Sequence, residues 1–365
     1  MAFYHAFYNE ENRRLADQLP FHRFLDDTVD GVTLPITRTM VQEPTEEFGF
    51  LHECAIVEFH GVLYAAWYAC PQHELSGRTP ICGRHSTDGG RTWSELAVWC
   101  EPTENIMYCP PVFGVEDDRL YMFVNQMVAP DHMHSLDLYV LNGDRFDLLW
   151  TRPIPFKLNT HVVTLPNGKR MLPGRCAELD GFPNTPAVLI SDDGKLDTAW
   201  RLVQIADNGD LPDGERLVHP EITVMQANGT LYMFCRNDRR TVPLVYLSAD
   251  NGESWSPATA HDIPYTSSKM YAGDLSDGRH YLVANVEEFD RSRLVLFLTN
   301  GNSARFSKRL TLFDSRTAPY REAVACHYPA AVECDGKLQI IATLNYTWER
   351  RGAVLFTVPL TIATV

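Results

Sequence analysis

Three histidines and one serine in this chain occupy a recurring kind of position. His52, His219, Ser268 and His327 each lie nine or ten residues before a turn glycine, at Gly61, Gly229, Gly278 and Gly336. The matching regions elsewhere hold Tyr108, and Asn159 with His161. If these residues start strands around one axis, four imidazoles, a phenol and small polar groups meet at one mouth. A position that only packed would carry apolar types. Two chemistries suit such a ring. His and Tyr can act as base and acid in a β-elimination, with a cation neutralising the carboxylate next to the reacting carbon. Several imidazoles can instead ligate a divalent metal. Their spacing is not a short metal motif such as H-E-x-x-H, and the sequence requires no cofactor. Glycoside hydrolysis would draw on two carboxyls or a Tyr–Glu pair. Glu53 and Glu221 stand beside channel histidines, and Glu178, Asp180 and Asp238 form a second rank.

The elements that must position this ring are strands. "CAIVEFHGVLYAAWYA", "RLYMFVNQM", "TLYMFCRN", "HYLVANV" and "KLQIIATLNY" are β-branched and aromatic runs broken by Gly, Asp and Asn turns. The segment from Asn9 to Asp17 is the one helix candidate. Six turns recur, within "EFHGVLY", "VEDDRLY", "LPNGKRM", "QANGTLY", "LSDGRHY" and "ECDGKLQ". A recurrence of roughly 50–60 residues suits four-stranded blades set radially. The expected fold is all-β: a six-bladed β-propeller of antiparallel blades, six rather than seven, in a single domain over residues 1–365. Residues 46–365 form the blades, and 1–45 is an N-terminal segment with a closing strand. The last blade takes late strands from "AVLFTVPLTIATV" and its outermost from Gly31–Val41, which removes an open edge.

Ser86-x-Asp88-x-Gly90-x-Thr92-Trp93 and Ser248-x-Asp250-x-Gly252-x-Ser254-Trp255 follow one pattern, and Ile190–Trp200 is a stretched version. Ser and Asp side chains bond turn N–H groups, Gly takes a positive φ, and Trp packs into the blade. These are rim staples between third and fourth strands. Composition narrows the partners. A net charge of −15 argues against nucleic acid and anionic membrane. No apolar run is long enough to span a membrane. The N-terminus lacks a signal-peptide layout, so a cytoplasmic location is expected. The nine cysteines are odd in number, contain no C-x-x-C and read as reduced, mostly buried thiols.

The repeated S-x-D-x-G-x-T/S-W turns on blade-like units resemble the sialidase superfamily of Asp-box (BNR-repeat) propellers, across nearly all the chain after residue 45. That resemblance implies three arginines gripping a substrate carboxylate, a Tyr–Glu nucleophile pair and an Asp acid. Arg175, Arg236 and Arg321 are the cleft arginine candidates, Tyr328 stands near where the nucleophile falls, and Glu221 resembles its partner. The slot of the first arginine reads "FLHECAIVEF" and holds none. Locally the first blade looks like that of propeller polysaccharide lyases and rhamnosidase-like enzymes of uronate-containing glycans. That branch implies His52, then His73 at a spacing of 21, then Tyr108. Where it implies an Arg on the next strand, Asn125 and Gln126 stand, and Arg175 is the substitute. The expectation is a glycan-cleaving enzyme with an oligosaccharide substrate, favoured as a lyase or rhamnosidase-like enzyme over a sialidase-like hydrolase. A non-catalytic glycan-binding propeller is the alternative of another class. The expected catalytic residues are His52, His73, Tyr108, Glu221 and Tyr328. Glu53, Asn125, His161, Arg175, His219, Arg236, Ser268, Arg321 and His327 are the expected binding residues.

Overall fold

The protein is described by a computed structural model, over residues 10–129, 132–176, 184–205, 211, 212, 214, 217–238, 242–287, 290–317 and 322–361. Its strands form six sheets, each one blade. Blade 1 runs outward through Phe50–Phe59, Val62–Cys70, Ile81–Ser86 and Ala97–Cys100. Blade 2 comprises Met107–Glu116, Arg119–Ala129, His132–Asn142 and Arg145–Arg152. In blade 3 the inner strand is broken into Phe156–Leu158 and Val163–Thr164, both paired with Arg170–Cys176, before Pro186–Ser191 and Arg201–Gln204. Blade 4 holds Ile222–Ala227, Thr230–Cys235, Leu244–Ser248 and Thr259–His261; blade 5 holds Tyr271–Asp274, His280–Asn285, Arg293–Thr299 and Phe306–Asp314. Blade 6 takes Ala325–Cys334, Lys337–Asn345 and Arg351–Pro359. The six-bladed architecture is as expected from the recurring turns.

Closure also follows the expected route. Thr37–Gln42 pairs antiparallel with Arg351–Pro359 as the outermost strand of blade 6. Two further strands were not foreseen. Phe21–His22 adds in parallel to the outer edge of blade 4, and Leu25–Gly31 does the same on blade 5. The N-terminal segment thus runs along three successive edges, each of which would otherwise present unpaired backbone groups. It is anchored by Phe24, fully buried against Tyr232, Phe234, His261 and Phe306. The foreseen helix forms over Glu10–Ala16, and its Leu15 packs with residues of blades 3 and 4.

The core lies between blades, because each sheet is apolar on both faces. Val188 and Ile190 of blade 3 pack with Val224 and Met233 of blade 4, and Phe123 of blade 2 with Leu172 and Leu189 of blade 3. All nine cysteines are free, and eight are buried.

Both Asp boxes join third to fourth strands, on the face that also carries the turns between first and second strands. Asp88 Oδ1 accepts from Ser86 Oγ (2.9 Å), Arg91 N (3.0 Å) and Thr92 N (2.9 Å), while its Oδ2 accepts from Thr92 Oγ1 (2.6 Å). Asp250 repeats the arrangement with Ser248 and Ser254. Gly90 and Gly252 have φ of +85° and +83°. A Cβ there would lie 2.4 Å from Leu355 of blade 6 and 2.2 Å from Met171 of blade 3. Each box therefore sets the approach of its blade to the one before it.

The opposite face is shaped by irregular inner strands. Register shifts interrupt the first strand of blade 1 between His52 and Ala55, of blade 2 between Tyr108 and Pro111, and of blade 6 between His327 and Ala330. Within two of these bulges Glu53 and Tyr328 have φ of 51° and 53°. Side chains other than glycine rarely take this conformation, and bulges re-aim residues near functional sites.

Candidate active site

The two bulges bring Glu53 and Tyr328, at matching positions of adjacent blades, to the axis. The Tyr328 hydroxyl donates to Glu221 Oε2 at 2.9 Å, across from blade 6 to blade 4. Arg236 Nη1 donates to both, at 2.6 Å to the phenol oxygen and 2.6 Å to Glu221 Oε2. All three are shielded from water, Glu221 and Tyr328 almost completely. Burial pushes the Tyr328 phenol well above its ordinary pKa, against the pull of Arg236 and Arg291. Burial would also raise Glu221, but Arg236, Lys269 and Arg175 outweigh it and hold the carboxyl below its usual range. The proton therefore rests on Tyr328, beside an ionised carboxylate poised to receive it.

The surrounding groups fix this trio. Arg236 Nε donates to Asp238 Oδ1 (2.5 Å), and Asp238 Oδ2 lies 2.7 Å from His219 Nδ1. Burial opposes ionisation of Asp238, but the His219 bond and Arg236 keep its pKa far below normal. Ser267 Oγ donates to the same carboxylate (2.5 Å). On the other side Lys269 Nζ lies 4.9 Å from the Tyr328 ring centre and donates to Glu53 Oε2 at 2.7 Å. That ion pair is 4% exposed on each side, so it is tightly paired rather than solvated. The His52 ring packs 4.1 Å from Tyr328 and 5.0 Å from His327. Both imidazoles are buried and pushed well below their ordinary pKa, chiefly by burial and then by nearby guanidiniums. His52 Nδ1 pairs with Thr343 Oγ1, His327 Nε2 with Asn345 Oδ1 and His327 Nδ1 with Arg291 Nη1.

The structure thus gathers Glu53, His52, Glu221, Arg236, His219, Tyr328 and His327 about one point. Arg175 is buried and acts on Glu221 from blade 3. Ser268 is buried between Ser267 and Lys269, its hydroxyl without a hydrogen-bond partner. Other expected residues lie elsewhere. His73 sits in an exposed turn, its backbone N–H and C=O bonded to Ser76. Tyr108 is buried in a cluster shared by blades 1 and 2, its hydroxyl 3.2 Å from that of Tyr139. Asn125 is a staple between blades: Leu158 N donates to its Oδ1 and its Nδ2 donates to Phe156 O. Asn159 does the same for blades 3 and 4 through Ile222 N. His161 lines a small axial cavity of about 20 Å³ with Thr160, Lys269 and Tyr271. Burial lowers its pKa to about 4. Arg321, Glu178 and Asp180 lie outside the described residues. Among the described residues no group of three or more His, Cys, Asp or Glu side chains could hold a metal ion.

Lys269, Arg291 and Arg351 escaped the sequence reading, as did Ser267 and Glu74. A signal for the arginines was present. Arg175, Arg236, Arg291 and Arg351 follow at spacings of 61, 55 and 60, the period of the blades. Each falls where a second strand ends or a third begins, on the face of the mouth. The histidine count runs along the first strands, whereas this repeat lies between the second and third.

The fold and its rim turns define an Asp-box propeller. The sequence profile of the BNR repeat-like domain matches residues 61–340, and the chain belongs to that family. No curated protein matches the chain by sequence. Similar solved structures include a protein of unknown function from Dyadobacter fermentans, at 13% identity and a TM-score of 0.70, covering 89% of this chain and 99% of that one. Trypanosoma rangeli sialidase aligns at 16% identity and a TM-score of 0.66, over 89% of this chain but only 60% of its own length. The NanB sialidase of Streptococcus pneumoniae aligns at 12% identity and a TM-score of 0.67, over 88% of this chain and 70% of that one. At such identities the likeness is one of fold.

Proposed function

We propose that the protein is an exo-acting glycoside hydrolase that removes a terminal acidic sugar from an oligosaccharide, with Tyr328 as nucleophile. The carrying observation is the Tyr328–Glu221–Arg236 contact, in which one carboxylate oxygen and one guanidinium nitrogen both meet the phenol. Tyr328 attacks the anomeric carbon while its proton passes to Glu221, and the bond to the leaving oxygen breaks. Arg236 offsets charge on the phenol oxygen as the proton departs. The loop between the second and third strands of blade 1 carries His73 and Glu74 and supplies the proton to the leaving group. Glu74 reaches this region through Tyr68, whose hydroxyl donates to it at 3.1 Å and whose ring edges His52. Water then adds to the anomeric carbon as the aryl glycoside bond to Tyr328 breaks; its proton goes to the loop group that protonated the leaving oxygen, and Glu221 returns its proton to Tyr328.

This reading is preferred to elimination because His52, His73 and Tyr108 have separate partners, whereas Tyr328 and Glu221 share one. Aryl glycosides of N-acetylneuraminate and of glucuronate test it. Release of the aryl group without an ultraviolet-absorbing unsaturated uronate, lost in Tyr328→Phe, is expected. An unsaturated product, or turnover that survives Tyr328→Phe, would overturn it.

A further inference from the structure

We propose that Arg351, from blade 6, is the cation that recognises the substrate carboxylate, in the role that the first blade leaves empty. This rests on the hydrolase reading above. Arg351 is 1% exposed, yet its Nη1 has no hydrogen-bond partner. Its Nε donates to Trp348 O at 3.2 Å, and its guanidinium lies over the rings of Phe50 (4.0 Å) and Trp348 (5.1 Å). Glu74 acts on it at longer range but is engaged with Tyr68. A buried cation without a hydrogen-bonded anion is costly, and a chain retains one where a ligand completes it.

The neighbourhood sharpens the point. Arg291 bonds His327 Nδ1 (3.2 Å) and Ser267 O (2.9 Å), both neutral acceptors, and its guanidinium lies 5.2 Å from the Tyr328 ring centre. Arg291 and Arg351 both act on the His52 and His327 rings and on each other. Two like charges thus flank the imidazole pair beside the nucleophile, and among the described residues no carboxylate is in ion-pair contact with either. Contrast the other two arginines of the repeat: Arg236 is balanced by Glu221 and Asp238, and Arg175 acts on Glu221. In the first blade the residue at the mouth is Glu53, which Lys269 neutralises. The planar fork of a guanidinium suits a carboxylate, and the Trp348 ring that lies over Arg351 is itself 73% exposed.

Calorimetric binding to the Tyr328→Phe protein tests this without turnover. The probes are N-acetylneuraminate and glucuronate, each paired with its methyl ester. One free acid should bind more tightly than its ester, and Arg351→Met should weaken that acid by about ten- to hundredfold while leaving the ester unchanged. Removal of a lone buried charge should also leave the melting temperature of Arg351→Met equal or higher. Acid preference that survives Arg351→Met, or no preference in its presence, would overturn the assignment. If Arg351→Met does not fold, Arg351→Lys keeps the charge without the fork and should retain only part of the preference; full retention counts against the proposal. Turnover without acid preference would remove Arg351 and leave the Tyr328 mechanism standing. Acid preference without turnover would do the reverse.

Discussion

Asp88 in the rim turn of blade 1 and Glu221 at the mouth are both carboxylates ringed by donors, but they are satisfied in opposite ways. Every donor to Asp88 lies within four residues of it: Ser86, Arg91 and Thr92. Those of Glu221 come from Arg236, fifteen residues on, and Tyr328, 107 residues away. The local set is complete in itself, a turn closed by its own side chains. The assembled set holds a phenol proton against a carboxylate out of water, which is a state that chemistry can use. A polar, turn-rich motif is therefore the poorer guide to a site, and a charge assembled from distant blades the better one.

The most severe way to break this contrast is at Tyr328. Tyr328→Phe should lower kcat by at least about 10³-fold with little change in melting temperature, because the ring stays and only the hydroxyl goes. Glu221→Gln should follow at about 10²- to 10⁴-fold, as loss of a general base. Steady-state kinetics and thermal melts on the same preparations check both. A normal rate in either variant would return the mouth to a structural role.

The rim should show the mirror image. Gly90→Ala meets both a positive φ and the Leu355 side chain, and Asp88→Ala removes acceptors from two backbone N–H groups. Each should lower the melting temperature by several degrees and leave kcat nearly unchanged, with Gly90→Ala the worse. Lost turnover at unaltered stability would make the box a site after all.

How much of this was legible beforehand follows the same division. Blade number, turn positions, the closing strand and the rim staples are local patterns repeated along the chain, and they could be read from Gly90 or Trp255 directly. The mouth was legible only in part. Counting back from turn glycines located His52, His219 and His327, because strand length is regular. It could not tell that the bulge at His327 turns Tyr328 to the axis, or that Tyr108 turns toward Tyr139, since a bulge shifts the period of two by one residue. Lys269 was passed over because its neighbour Ser268 fitted the count. The parallel strands at Phe21–His22 and Leu25–Gly31 carry mixed polar sequence, and only the edges of blades 4 and 5 make them strands.

Acid should separate the two regions again. His161 has a folded pKa of about 4 against 6.5 unfolded, and burial also depresses His52 and His327. As pH falls below about 6.5 the unfolded chain takes up these protons first, so stability declines between about 6.5 and about 4. The rim carboxylates Asp88 and Asp250 are depressed by their own turn bonds and lose their contribution only below the ordinary carboxylate range. His280, raised by its bond to Asp274 against burial, has the opposite sign: its contribution is full below 6.5 and fades as pH rises through its folded value. Denaturant melts across this range should show the decline, and His161→Gln should flatten it. A curve level down to pH 4 would mean that the axial histidines accept protons in the folded state.

The smallest expected effect lies within the rim itself. In the stretched turn of blade 3, Asp193 Oδ1 accepts from Ser191, Lys195 N and Thr198 Oγ1, so three bonds crowd one oxygen. In the two regular boxes the threonine or serine hydroxyl takes the second oxygen instead. Each bond to Asp193 thus shares its acceptor, and removal of one leaves the other two stronger. Trp200, buried against Phe123 and bonded to Leu196 O, anchors the turn independently. Thr198→Val should therefore shift the melting temperature less than Thr92→Val does in blade 1, though both delete one hydroxyl near the surface. A larger loss at Thr198 would show that the stretched turn depends on its carboxylate as fully as the regular boxes do, and that the tryptophan is passenger rather than anchor.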